Sequence, residues 1–222
     1  MTRISPMIEF MGADYCETLK SPRILKSHLS YSNIPKDGGA KYIFVVRNPK
    51  DALVSYYYHH RNFTCFDFEN GDFDVFYEMF MDGQVGCGEY FDHFTSWLDA
   101  LEKKEENILF LKYEDMVGDL RSAVVAIADF LGGEAANLVK DEQHLNKIVE
   151  ASTLASMKKD QQRWFPYEYQ RGNFVRKGGS RDWKNHFTKE QSDRMDERFR
   201  ERCTGSAAAA WWRAEMAWND VS

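Results

Sequence analysis

Hydrophobic and polar positions along this chain fall into blocks with two different periods. Tyr42–Val46 (YIFVV) and residues 107–111 (NILFL) are short runs of branched and aromatic residues that end in polar ones, the pattern of strands buried in a parallel sheet. Residues 23–26 (RILK) form a weaker third run. Helical spacing governs residues 51–60, 74–81, 90–101, 119–131, 135–148 and 189–202, and the fourth of these stops at Gly132-Gly133. Strands alternating with helices predict an α/β fold, a parallel sheet flanked by helices. Residues 160–173, with Trp164, Phe165, Pro166, Tyr167 and Tyr169, follow neither period and read as a long aromatic loop of the kind that serves as a lid. Nothing repeats, and no Gly/Ser tract divides the chain, so residues 1–222 read as one domain whose tail, from about 204, is undetermined.

Composition narrows the function classes. The 222 residues carry a formal net charge of -6, so no global positive field exists to hold nucleic acid or an anionic membrane. Any bound anion must be gripped by a local basic cluster. No apolar run approaches the length of a membrane span, and the first residues lack a secretory apolar core, which predicts a cytoplasmic protein. Cys16, Cys65, Cys87 and Cys203 are spaced irregularly, so they read as free thiols, and no histidine pattern suggests a metal site.

Chemistry in a parallel α/β sheet gathers at the carboxyl ends of the strands. Lys26-Ser27-His28, Arg47-Asn48-Pro49-Lys50-Asp51 and Lys112-Tyr113-Glu114-Asp115 follow the three apolar runs. Arg47 closes one strand, and Ser55 lies eight residues on, in a helix whose start Asn48-Pro49 announces. A helix start and an adjacent guanidinium suit phosphate oxygens, although Arg47 could instead pair with Asp51. Arg176-Lys177-Gly178-Gly179 has the makings of an anion-binding turn, with Arg171, Arg181 and Lys184 extending a local reversal of sign; a solvated basic turn is the plainer alternative. His28 has the chemistry of a general base, although a lone histidine is more often structural. Gly38-Gly39-Ala40-Lys41 precedes a strand, the wrong side for a phosphate loop, which disfavours a nucleotide kinase.

The segments SPRILKSHL, KYIFVVRNPKDALVSYYYHH, ILFLKYEDM and FVRKGGSRDWKNHFT, in this order, make the chain resemble the cytosolic sulfotransferases. That family moves a sulfuryl group from 3'-phosphoadenosine 5'-phosphosulfate (PAPS) to a hydroxyl or amine, releases PAP, and needs no metal. The resemblance implies a P-loop NTPase-like fold, with His28 as catalytic base and Lys26 neutralising charge at the transferring group. It implies that Arg47 and Ser55 hold the 3'-phosphate together with Phe174, Val175, Arg176, Lys177 and Gly178 of the closing loop. Tyr113, Ser152 and Met157 take adenine-site positions, with Leu154 standing where the family has Phe. The implied acceptor is a small apolar or phenolic molecule, its pocket expected to be built partly by residues 63–76 and 160–173, rich in Phe and Trp.

Departures from the family pattern carry expectations of their own. Family members open with a strand and a Pro-Lys-Ser-Gly-Thr-Thr-Trp type loop, and the present sequence is expected to start downstream of them, N-terminally incomplete. Its sheet should then lack the first strand and phosphate loop and expose apolar surface beside the remaining strands. A catalytically impaired protein that binds 3'-phosphoadenosine nucleotide or a partner is the alternative function. Arg181 stands at a family glycine, which strains the loop if that position needs positive φ. Lys189 and Asp193 alter the family's homodimer signature.

Overall fold

The computed structural model describes residues 5–105, 107–161 and 169–219. Helix α1 (Ile8–Glu17) precedes β1 (Tyr42–Val46), and α2 (Pro49–Asn62), α3 (Phe73–Met81) and α4 (Tyr90–Glu102) cross over to β2 (Ile108–Lys112). Five further helices follow, α5 (Tyr113–Gly118), α6 (Leu120–Leu131), α7 (Gly133–Leu138), α8 (Glu142–Ser152) and α9 (Leu154–Lys159). Helices α10 (Lys189–Cys203) and α11 (Arg213–Met216) complete the described order. Strands β1 and β2 pair in parallel with Tyr42 opposite Ile108 and Val46 opposite Lys112. An α/β architecture with a small parallel sheet and flanking helices is therefore what the two periods predicted.

The differences have local causes. Residues 23–26 do not form a strand; Lys26 makes a single parallel bridge to Met7, and their neighbours are extended without a ladder. The helix expected over 135–148 is two helices, because Asp141 caps a new start by accepting the amides of Gln143 at 2.8 Å and His144 at 3.1 Å. Helix α1 was not expected: Gly12, at φ 76°, interrupts its turns, and its start has no side-chain cap. Of the aromatic loop, residues 162–168 lie outside the described residues.

The core lies where α2, α3, α4 and α10 meet the buried side of β1. Trp183, Tyr77, Phe76, Phe91, Phe94 and Met195 are fully buried there. Lys50 is also fully buried, and its ammonium donates to Ser192 Oγ and Met216 O, each at 2.7 Å, and pairs with Asp196 at 2.7 Å. Burial works to lower the Lys50 pKa, against the Asp196 carboxylate, which works to raise it. Such a buried cation is tolerated only with this full set of partners. It pins the start of α2 to α10 and to the segment after Cys203, where Ala208, Trp212 and Met216 are buried. On the other face of β1, Ile43 and Val45 are 40% and 48% exposed; Ile24, outside the strands, is 60% exposed. Among the described residues no helix is long and apolar enough to cross a membrane.

Candidate functional site

The start of α2 is built by its own sequence. The Asn48 side chain accepts the Asp51 amide at 2.9 Å, and Pro49 occupies the first turn, where its missing N–H costs nothing. Glu114, just past β2, accepts from Asn48 N at 2.9 Å and Nδ2 at 2.8 Å, which locks the ends of the two strands together. Arg47 is thereby delivered to the carboxyl edge of the sheet. Its guanidinium lies 4.5 Å from the Tyr113 ring centroid and donates to Gly179 O at 2.7 Å. Arg47 Nε is buried without a hydrogen-bond partner among the described residues. The alternative pairing with Asp51 does not form, because Asp51 accepts from Asn48 Nδ2 at 2.8 Å and from the amides of Arg181 at 2.7 Å and Trp183 at 3.1 Å.

Arg47 opens onto a cleft of about 660 Å³. Of the residues singled out in the sequence, Ser55, Tyr113, Met157, Phe174, Val175, Arg176, Lys177 and Gly178 also line it. Arg61 and Arg171 add positive charge, against one lining carboxylate among the described residues, Glu69, which is 3.2 Å from Arg171. An acidic chain thus concentrates cations at one concavity, which fits a polyanionic ligand. Arg176 sits 4.1 Å over the Tyr58 ring and 2.7 Å from Asp182, and Lys177 donates to Asp182 at 2.6 Å. Burial works to raise the Asp182 pKa, yet the bonds from Lys177, Asn185 and Arg176 outweigh it and hold the carboxyl well below its ordinary range. Gly178 has φ +71°, and a Cβ there would come 2.6 Å from Leu154 Cδ1, so the glycine and Leu154 form one close contact between α9 and the basic loop.

Ser152, the last residue of α8, is not among the residues lining the cleft, to which the next helix contributes Leu154 and Met157. Sequence reasoning missed Tyr58, His59 and Asn62, although they share a helix face with Ser55 at positions i+3, i+4 and i+7. That periodicity was the available signal.

A second cavity of about 400 Å³ contains His28, and Arg47, Ser55 and His59 line both it and the cleft. Its remaining wall comes from α2, α3, α4 and the α3–α4 connection, including Tyr56, Phe80, Val85, Cys87, Glu89 and His93. Of residues 63–76, Phe63 and Glu69 line the cation cleft. The chain after His28 is docked on α4, because Leu29 O accepts from Trp97 Nε1 at 3.2 Å and lies 3.2 Å from His93 Nε2. Lys26 lines neither cavity; it is half-buried, and burial lowers its pKa. Burial also pushes the His59 pKa down to about 4, helped by His60, His28 and Lys26. His59 is therefore a neutral imidazole at pH 7.

Arg181 has φ 66°, as the loop position was expected to demand of a glycine. Lys189 and Asp193, the altered dimer positions, pair with each other at 2.5 Å on exposed turns of α10.

Residues 2–207 match the family described as the sulfotransferase domain. Sulfotransferase 2B1 of Mus musculus is 35% identical over 221 residues, covering 91% of this chain and 63% of its own length. Amine sulfotransferase of Oryctolagus cuniculus is 37% identical over 196 residues, covering 83% of this chain and 62% of its own. The chain thus spans somewhat under two thirds of the length of these two relatives. The crystal structure of mouse sulfotransferase SULT7A1 complexed with PAP superimposes with a TM-score of 0.75 at 29% identity, covering 88% of this chain and 71% of that one. Retinol dehydratase in complex with androsterone and PAP gives 0.72 at 24% identity over 86% of this chain and 56% of its own, a likeness of fold. Shared sequence over nearly the whole chain and a shared fold lead to one conclusion: the chain belongs to the sulfotransferase domain family.

Proposed function

We propose that this protein is a PAPS-dependent sulfotransferase acting in the cytoplasm on a small, apolar or phenolic hydroxyl or amine. The observation that carries the reading is the continuity of the two cavities, cations on one side and His28 on the other, with Arg47, Ser55 and His59 at the junction. Arg47, Ser55, Arg176 and Lys177 would hold the 3'-phosphate, and the uncommitted Arg47 Nε suits one of its oxygens. Tyr113, Met157 and Phe174 offer flat and soft surface to adenine. Leu154 in place of a ring weakens stacking there by about 1 kcal/mol.

In the reaction the acceptor oxygen or nitrogen attacks sulfur. Its new bond to sulfur forms as the bond from sulfur to the bridging 5'-phosphate oxygen breaks; the acceptor proton passes to His28, and PAP carries away the negative charge. Transfers of this kind run through loose transition states, so positioning and electrostatics supply most of the rate. Lys189, paired with Asp193, stands where the family's dimer signature has valine, and Asp193 where it has glutamate, so a homodimer remains possible with that contact altered.

Incubation with radiolabelled PAPS and a panel of phenols, alcohols and amines tests the reading, alongside calorimetric titration with PAP. Label transfer that is lost in His28→Ala is the expected result. PAP binding without transfer to any acceptor would replace it with the nucleotide-binding alternative.

A further inference from the structure

The environment of His28 includes a carboxylate that no sequence motif singled out. Glu9, in the first turn of α1, points its Oε1 at the His28 segment, accepting the His28 amide in a short hydrogen bond and the Ser27 hydroxyl at 3.0 Å. The same oxygen lies 3.9 Å from His28 Nδ1. Ser27 Oγ in turn accepts the Leu29 amide at 3.0 Å, so one carboxylate organises the 27–29 backbone. The other charged or titratable groups around His28 are Lys26 on its own segment, His59 from α2, His93 from α4 and, lining the same cavity, Arg47, Tyr56, Cys87, Glu89 and Tyr90. Glu9 is the carboxylate that hydrogen-bonds the His28 segment, whereas Glu89 accepts the Asp92 amide and pairs with Arg202.

We propose that Glu9 is a positioning residue for His28, fixing its backbone and selecting the ring tautomer in which Nδ1 carries the proton and Nε2 faces the acceptor. The inference rests on the reading of His28 as the base. An imidazole must present its unprotonated nitrogen to the nucleophile, and a carboxylate beside the other nitrogen selects that form and stabilises the imidazolium made when the proton arrives. A separation of 3.9 Å is longer than a hydrogen bond, and such contacts tighten once substrate is bound. The carboxylate is kept charged for this role: burial works to raise its pKa, and the His28 amide and Ser27 hydroxyl bring it below the ordinary value.

The connection from α1 explains an otherwise odd feature of the fold. The Met7–Lys26 bridge, with Ile8 N donating to Lys26 O at 2.9 Å and Lys26 N to Pro6 O at 2.9 Å, fastens the start of α1 alongside the His28 segment. Without it Glu9 would have no fixed distance from His28.

Imidazole nitrogen-15 spectra of the full chain test the proposal independently of turnover, with the His28 signals assigned by their absence in His28→Gln. Wild type should show the Nδ1–H form, and Glu9→Gln, which keeps an accepting oxygen and loses the charge, should show a mixture or the Nε2–H form. With the acceptor that supports transfer, Glu9→Gln should lower kcat by about 10-fold and Glu9→Ala by about 100-fold, with the KM for PAPS within about twofold and partial rescue in Glu9→Asp. PAP affinity close to wild type in Glu9→Gln verifies that the variant is folded. An unchanged tautomer in Glu9→Gln would overturn the assignment. The predicted tautomer change in a protein that transfers no sulfate would instead overturn the transferase reading and leave the Glu9–His28 coupling in place.

Discussion

Asp51 Oδ2 accepts the backbone amide of Arg181 at 2.7 Å, and this bond fastens the basic loop to the first turn of α2. Arg181 holds φ 66°, a left-handed conformation costing a non-glycine residue about 1 to 2 kcal/mol, while its guanidinium donates to Ala217 O at 2.9 Å. Strain and anchor therefore oppose each other at one residue. Arg181→Ala keeps the strain and loses the anchor, so it should destabilise the protein by about 1 to 2 kcal/mol. Arg181→Gly loses both and should fall within about 1 kcal/mol of wild type. Urea unfolding of the two variants measures the difference.

Asp51 itself is 1% exposed and accepts from Asn48, Arg181 and Trp183, with Ser180 Oγ a longer fourth donor at 3.5 Å. Asp51→Ala would leave them unpaired in the interior, at about 1 to 3 kcal/mol each before relaxation. The expected outcome is a protein that is unfolded or strongly destabilised at 37 °C by thermal melting. Calorimetry should also find that PAP affinity falls in any fraction that folds, because the loop carrying Arg176 and Lys177 loses its tether.

Arg47 is predicted to carry nucleotide affinity. A charged hydrogen-bond pair contributes about 1.5 to 3 kcal/mol, so Arg47→Ala should weaken PAP binding by about 10-fold to 100-fold. Arg47→Lys should recover only part of this, since an ammonium cannot donate in parallel. The loss should shrink for adenosine 5'-phosphate, which lacks the 3'-phosphate. Equal losses for both nucleotides would move Arg47 away from the 3'-phosphate.

Gly178 and Leu154 should be coupled. Gly178→Ala places a methyl 2.6 Å from Leu154 Cδ1 at φ +71°, so it should reduce both stability and PAP affinity. In a Leu154→Ala background the clash disappears and the backbone strain remains. The double-mutant cycle should therefore return a favourable coupling of about 1 kcal/mol.

Acid should destabilise the fold through its buried imidazoles. His59 has a folded-state pKa of about 4 against an ordinary 6.5, so between these values the unfolded chain binds the proton that the folded chain refuses. The stabilisation is fully present above pH 6.5 and is lost as pH falls towards 4; it amounts to up to about 3 kcal/mol from this residue. His60, His93 and His186 are shifted in the same direction, also by burial. Denaturant titrations from pH 7 to pH 4 should show the fall, and His59→Gln should flatten its own share.

Local sequence suffices for the elements whose period is strong and whose ends are marked. Tyr42–Val46 forms a strand with the predicted limits, and α3, α4, α6 and α10 begin and end within a residue or so of their apolar periods, because caps such as Asp72, Glu89, Asp119 and Thr188 stand where the helices start. The positions after the apolar runs drew attention to Arg47, Ser55 and His28, and the local reversal of charge drew attention to the Arg176-Lys177-Gly178 turn. Tertiary structure decided what these residues do to one another. Only the packing of α2 against the 176–183 loop brings Arg47 and Gly178 to one cleft, and only the bridge from Met7 to Lys26 sets Glu9 beside His28. Periodicity reports which side of an element is apolar; it carries no information about which distant polar groups meet. Those meetings depend on buried hydrogen bonds, such as Asp51 with Arg181 and Trp183, whose partners lie more than a hundred residues apart.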